Sequence, residues 1–216
     1  MLLALALIPN GREAAVAAII ADGGFETPDI PNSSFDLSPA GAAWSFQGNS
    51  GIIDSPSGYG APPPPDGEQL ALLQVSGTTF LSNFSQTISL PSTGAYSLSY
   101  FDAGRSVGQP GNVAYEVLLD STPIHADATT TGQPFTLTTV PFTAAAGSHV
   151  LAFRISPLQP SGDNSAFFDD IRIIPEPASL ALLTLAGLSL VLGRRRVSAR
   201  GTLPSDTKQG SRKITS

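Results

Sequence analysis

Between Asp22 and Ile174 apolar side chains recur at every second position, and this spacing limits what the chain can fold into more than any motif does. Val113, Tyr115, Val117 and Leu119 fall on one side of an extended backbone, with Asn112, Glu116 and Asp120 on the other. A helix would scatter these residues around its axis, whereas a strand with one face in a core requires them. The same alternation runs through Tyr96, Leu98 and Tyr100, through Phe135, Leu137 and Thr139, and through Leu151, Phe153 and Ile155. Gln69 to Val75 and Ala166 to Ile174 read as further strands.

Turn chemistry separates these runs: Pro91-Ser92-Thr93-Gly94, Gly104 to Gly111, Asp120-Ser121-Thr122-Pro123, Thr131-Gly132-Gln133-Pro134 and Ala146-Gly147-Ser148. Short strands at regular spacing over one domain's length predict an all-β fold, an antiparallel jelly-roll β-sandwich over 22–174. Ala61-Pro62-Pro63-Pro64-Pro65 reads as a stiff loop, because proline cannot join a central ladder. No internal repeat is evident.

Charge is distributed unevenly. Asp22 to Ile174 carries fourteen acids against three arginines, a net of −11, while seven basic residues lie beyond Gly193. An acidic body makes nucleic acid an unlikely partner. With no cysteine, neither a disulfide framework nor a thiolate metal site can form, and core burial must supply the stability.

The ends carry different signals. Ala178 to Gly193 is uncharged, rich in Leu and Ala, and stops at Arg194-Arg195-Arg196. As a helix it would span roughly 24 Å, at the short edge of what crosses a bilayer. Its polar side chains are confined to Ser179, Thr184 and Ser189, too few for the polar face of a core helix, so a single C-terminal transmembrane helix is expected. The positive-inside rule then keeps the arginines cytoplasmic and puts the acidic domain outside. At the other end Met1 to Ile8 is apolar and Ala14 to Ala18 are small, so 1–21 is read as an export signal processed between Ala17 and Ala21. No basic residue precedes that apolar run.

Pro175-Glu176-Pro177, an apolar helix and a compact arginine run, in that order, resemble the PEP-CTERM sorting signal of Gram-negative bacteria over 175–196. The resemblance implies recognition by an exosortase-type membrane protease, removal of the helix, and delivery to the cell surface or extracellular matrix. The two prolines hold the tripeptide extended, as a protease substrate must be. The tail 197–216 departs from that pattern, which ordinarily ends soon after the basic cluster, and reads as a basic, polar extension.

Gly23-Gly24-Phe25-Glu26, Trp44, Asp66-Gly67-Glu68-Gln69 and Phe167-Phe168-Asp169-Asp170-Ile171 together resemble the galactose-binding-like jelly rolls. That resemblance implies a structural calcium (Ca2+) held by Glu26 and Asp169, with Asp22 and Asp66 as weaker ligands. Strand alternation puts Asp169 on the face of Phe167, Ile171 and Ile173, the expected core side, and Asp170 opposite. An inward carboxylate demands a partner, and two stay open: a hard cation, or backbone N–H groups.

Sugar recognition needs an exposed ring face beside hydrogen-bonding groups, which singles out Tyr59 and Trp44, although a lone Trp is more often core. His149 begins the face of Leu151 and Phe153 and reads as structural, and it lies far from His125 in sequence. No G-x-S-x-G, H-E-x-x-H or P-loop pattern occurs, and Asp169 and Asp170, adjacent on a strand, cannot form a glycosidase pair. Asn32-Ser33-Ser34 and Asn83-Phe84-Ser85 fit a glycosylation pattern and read as chance. The expectation is a noncatalytic exported protein that binds extracellular polysaccharide. A small carboxylate-dependent hydrolase or lyase, and a purely structural biofilm component, are the alternatives.

Overall fold

In the computed structural model, residues 18–56, 59–77, 82–106, 111–159 and 162–176 are described. They form eleven strands and no helix: β1 (Phe35–Leu37), β2 (Ser45–Gln47), β3 (Ser50–Asp54), β4 (Gln69–Gln74), β5 (Asn83–Leu90), β6 (Gly94–Gly104), β7 (Val113–Leu119), β8 (Thr122–Thr129), β9 (Thr136–Ala144), β10 (Gly147–Ile155) and β11 (Ser165–Pro175). They make two antiparallel sheets, ordered β1-β3-β4-β11-β6-β9 and β2-β5-β10-β7-β8. From β4 to β7, and again from β8 to β11, consecutive strands fall in opposite sheets, which is the jelly-roll habit. The expected transmembrane helix 178–193, with Pro177, Arg194, Arg195 and Arg196, lies outside the described residues. Among those described, no helix is long and apolar enough to cross a membrane.

Between the sheets sits an aromatic core. Phe84 and Phe153 stack at 4.9 Å with rings 10° apart, and Trp44, Phe25, Tyr100 and Phe168 meet one or both of them edge-on or tilted. Such pairs add to area burial because a ring's positive edge meets a negative face. Val113, Tyr115, Val117 and Leu119 all point inward, as do Tyr96, Leu98, Tyr100, Leu151, Phe153 and Ile155. In β9 the faces are reversed from expectation: Val140 and Phe142 enter the core while Leu137 is 56% exposed. The cause is register, because Leu98 lies opposite Val140 and Tyr96 opposite Phe142, and a paired strand adopts its neighbour's facing.

The hairpin joining β7 and β8 turns on Asp120 and Ser121, both at positive φ (50° and 68°), as a two-residue turn matching the strand twist requires. Pro123 then sits in β8, an edge strand, where a missing amide donor is tolerated.

A second apolar cluster covers the outer face of the six-stranded sheet: Ile53, Leu70, Leu72, Ala103 and Phe167, with Tyr59, Ala61 and Phe135 against it. Phe167 therefore faces away from the main core, while its neighbour Phe168 faces in. Ile171 and Ile173 also face in, so the alternation skips a residue between Phe168 and Ile171. The register shifts between Asp169 and Arg172, and Asp170 takes a φ of 50°. This is a β-bulge, and it overturns the expectation that Phe167, Asp169, Ile171 and Ile173 share a face.

The folded body extends a little beyond 22–174. Ile20 is buried, the Ala21 amide bonds Gln86 Oε1 at 2.9 Å, and Pro175 pairs with Tyr96.

Candidate functional site

Glu26 and Asp169 grip the two ends of one loop, Asp66-Gly67-Glu68-Gln69. Glu26 Oε1 accepts the amides of Glu68 at 3.0 Å and Gln69 at 2.9 Å, and Asp169 Oδ2 accepts that of Asp66 at 2.9 Å. Asp169 Oδ1 takes the Asp170 amide at 2.7 Å, so both its oxygens meet backbone N–H. Asp22 in turn accepts the amides of Glu26 and Thr27. The Gln69 side chain donates to the carbonyls of Phe25 and Pro28 and accepts from Ile30. Gly67 is required here, since its φ is +64° and a Cβ would lie 2.1 Å from Glu26 Oε1.

Asp169 is fully covered. Burial raises its pKa to about 7; the two amide bonds pull the other way, and the carboxylates of Asp66 and Asp170 add to the rise. That excess of negative charge suits a cation. The donor set is less favourable to calcium, which needs six to eight oxygens, because Asp22, Glu26 and Asp169 already accept amides. Among the described residues no group of three or more His, Asp or Glu converges so as to hold a metal.

Of the two candidate rings, Trp44 belongs to the core. It is 3% exposed, lies against Phe25, Phe84 and Phe153, and donates its indole N–H to the Asp22 carbonyl at 2.9 Å, so it presents no face to a ligand. The area a Trp buries outweighed its use as a platform. Tyr59 is different. It is half-buried against the outer cluster, with Phe35 edge-on at a ring distance of 5.0 Å and the Arg105 guanidinium 5.3 Å from its ring centre.

Phe35 is half exposed, and Arg105 Nη1 lies 3.8 Å from Asp163 Oδ1. The result is an aromatic surface bordered by a partly exposed carboxylate, with Arg105 itself buried at 8% exposure. Phe35 and Arg105 escaped sequence reasoning because the loop carrying Tyr59 is remote from both in the chain. A lone Phe among polar residues at Asn32 to Asp36 was the available signal.

The remaining titratable groups point to structure. His149 bonds Asp120 at 2.6 Å and the Ala145 carbonyl at 2.9 Å, as a satisfied histidine should. His125 lies 3.7 Å from Asp127. Asp102, 3% exposed, accepts bonds from Gln133 and Thr138, and burial raises its pKa against them. The two carboxyls with raised pKa, Asp102 and Asp169, are thus both enclosed and engaged.

No family model matches the chain, and no curated protein matches it. Several carbohydrate-binding modules are among the solved structures this chain is similar to. One is a family 61 module in complex with β-1,4-galactotriose, at 16% identity and a TM-score of 0.45, covering 74% of this chain and all of that one. A family 36 module in complex with calcium and xylotriose follows at 17% identity and 0.43, covering 60% and 92%. The xylan-binding CBM22-1 domain from Paenibacillus barcinonensis has 11% identity and 0.46, covering 68% and 97%. At these identities the likeness is one of fold.

Proposed function

We propose that this chain is an exported, noncatalytic surface protein whose β-sandwich binds polysaccharide through the surface formed by Phe35 and Tyr59. The carrying observation is the aromatic pair on the outer sheet face: a half-exposed Phe35 edge-on to Tyr59, beside a guanidinium and a carboxylate. A sugar ring offers apolar C–H faces and a rim of hydroxyls, and this surface offers rings for the first and the partly exposed Asp163 carboxylate for the second.

The sorting half of the proposal rests on the order Pro175-Glu176-Pro177, apolar run, Arg194-Arg195-Arg196. An exosortase-type protease is its partner, with an inner-membrane intermediate before release to the surface or matrix. Intact mass of the protein from a host with and without such a protease tests this: a released form lacking everything beyond the Pro175 region supports it, and an uncut membrane-held form retires it.

Calcium at the Asp66-Gly67-Glu68-Gln69 loop rests on the jelly-roll resemblance alone, since Asp22, Glu26 and Asp169 already accept backbone amides. A bound ion would raise the melting temperature at pH 8 and the chelator would reverse it; no shift removes calcium from the reading.

Binding is tested by calorimetry of the full chain in detergent against β-1,4-linked galacto-, xylo- and manno-oligosaccharides. Tyr59→Ala and Phe35→Ala should each weaken the responding ligand roughly tenfold or more. Unchanged affinity in both variants would move the site elsewhere, and no response from any glycan would leave a structural surface component.

A further inference from the structure

The chain enters and leaves the sandwich at the same place. Residues 18–20 run beside the C-terminal end of β11, and together they enclose a mostly apolar cavity of about 280 Å³ lined by Ile19, Ile20, Ile171, Ile173, Ile174 and Pro175, with Arg172 as its one charged lining residue. Ile20, Ile171 and Ile173 are anchored in the main core. Ile174 is not: it is 60% exposed, a large apolar side chain left at the mouth of the groove.

The sequence beyond this mouth limits what can lie against it. β11 stays paired to its last residue, Pro175 opposite Tyr96, and only Glu176 and Pro177 separate it from the uncharged run that begins at Ala178. Three Cα steps at 3.8 Å bring Pro175 within about 11 Å of that run. The headgroup layer on each side of a bilayer is roughly 5–8 Å deep, the difference between its full and hydrocarbon thicknesses shared over two faces. A span starting at Ala178 therefore keeps the end of β11 within, or just outside, the headgroup layer.

We infer that the apolar mouth around Ile174 rests on the bilayer surface while the C-terminal span is in place, with lipid at the headgroup and acyl boundary covering it. The inference rests on the membrane reading above and adds a contact surface to it.

The chain has no cysteine, so a single spin label can be placed at will. The full chain is reconstituted into phosphatidylcholine–phosphatidylglycerol vesicles with a nitroxide at Ile174→Cys, or at Leu158→Cys, an 89% exposed position in the segment leading from β10 towards β11. Vesicle flotation is measured on the same samples. The expected result is a several-fold higher ratio of oxygen to nickel-chelate accessibility at position 174 than at 158. Equal ratios in chains that float overturn the inference while leaving the membrane reading intact, and chains that do not float overturn the membrane reading itself. A label at 174 shielded from both reagents without vesicles means that other protein covers the groove, the chain's own N-terminal residues or a second copy, and also overturns it. Both labelled positions are surface sites, and far-ultraviolet circular dichroism matching the parent chain verifies the fold.

Discussion

Asp169 and Asp66 are 103 residues apart in the chain, yet the carboxylate of the first accepts the backbone N–H of the second at 2.9 Å. That bond ties the closing strand to the loop opening β4, and Glu26 holds the same loop from its other end. Because Asp169 is fully covered, the tie is sensitive to the charge it carries.

The first prediction concerns that charge. An aspartate in the unfolded chain titrates near 3.9, and Asp169 in the fold is raised to about 7. Between these values the folded state holds a proton that the unfolded state releases, so this group's contribution to stability falls as pH rises through the window, by on the order of 4 kcal/mol. Asp169→Asn should flatten that fall, at a cost of about 1–3 kcal/mol for the amide left without an acceptor. Urea unfolding at pH 5 and pH 8 measures both, and equal pH slopes in parent and variant would sink the idea.

Gly23 shows how closely the opening segment docks on the bulge. The Ile171 amide bonds the Gly23 carbonyl at 3.0 Å, and a Cβ at position 23 would meet the Ile171 carbonyl oxygen at 2.2 Å. Backbone must move to admit it, so Gly23→Ala should cost about 1–3 kcal/mol. At Gly94 an added Cβ meets nothing within 4 Å, so Gly94→Ala should be neutral or stabilise by about 0.4–1 kcal/mol. Thermal melts of the two variants should move apart, and a shared loss would count against the docking argument.

Phe153 tests the aromatic core. Its ring stacks on Phe84 and contacts Trp44, Tyr100 and Phe168. Phe153→Ala should destabilise by about 3–5 kcal/mol, because both the buried area and the ring contacts are lost. Leu158→Ala, at an exposed position, should stay within about 0.5 kcal/mol. Comparable denaturation midpoints for the two would contradict the packing described.

The Asp120 and His149 pair should be visible to titration. The hydrogen bond to Asp120, followed by that to the Ala145 carbonyl, raises His149 above its ordinary value. The Val150 amide, then His149, lowers Asp120. The histidine's contribution is present below about 6.5 and lost as pH rises through the raised value. The aspartate's is present above about 3.9 and lost as pH falls through the lowered one. Nuclear magnetic resonance titration of His149 should give a midpoint above 6.5, and Asp120→Asn should bring it down; an unmoved midpoint would refute the coupling.

Much of the candidate site was legible early. Glu26, Asp66 and Asp169 stood out through short motifs as ligands the resemblance implies, but their joint grip on one loop did not, because the amides they hold are brought to them by strands distant in the chain. The aromatic surface was half legible. Tyr59 stood out beside Gly58 and Gly60, but Phe35 and Arg105 join it only through the arrangement of β1, β6 and the loop before β4. Sequence distance carries no trace of such a meeting.

Period-two alternation was enough to determine an all-β body and to place β4, β6, β7, β9, β10 and β11, and charge placement was enough to separate an acidic body from a basic tail. Those properties are local, and each residue carries them in any context. Facing was decided by the tertiary structure. One extra residue at Asp170 inverts the parity of β11, pairing with β6 turns Val140 and Phe142 of β9 inward, and the space between the sheets claims Trp44 for the core. A strand offers two faces of equal backbone energy, so only the partner packed against it determines which one becomes the inside.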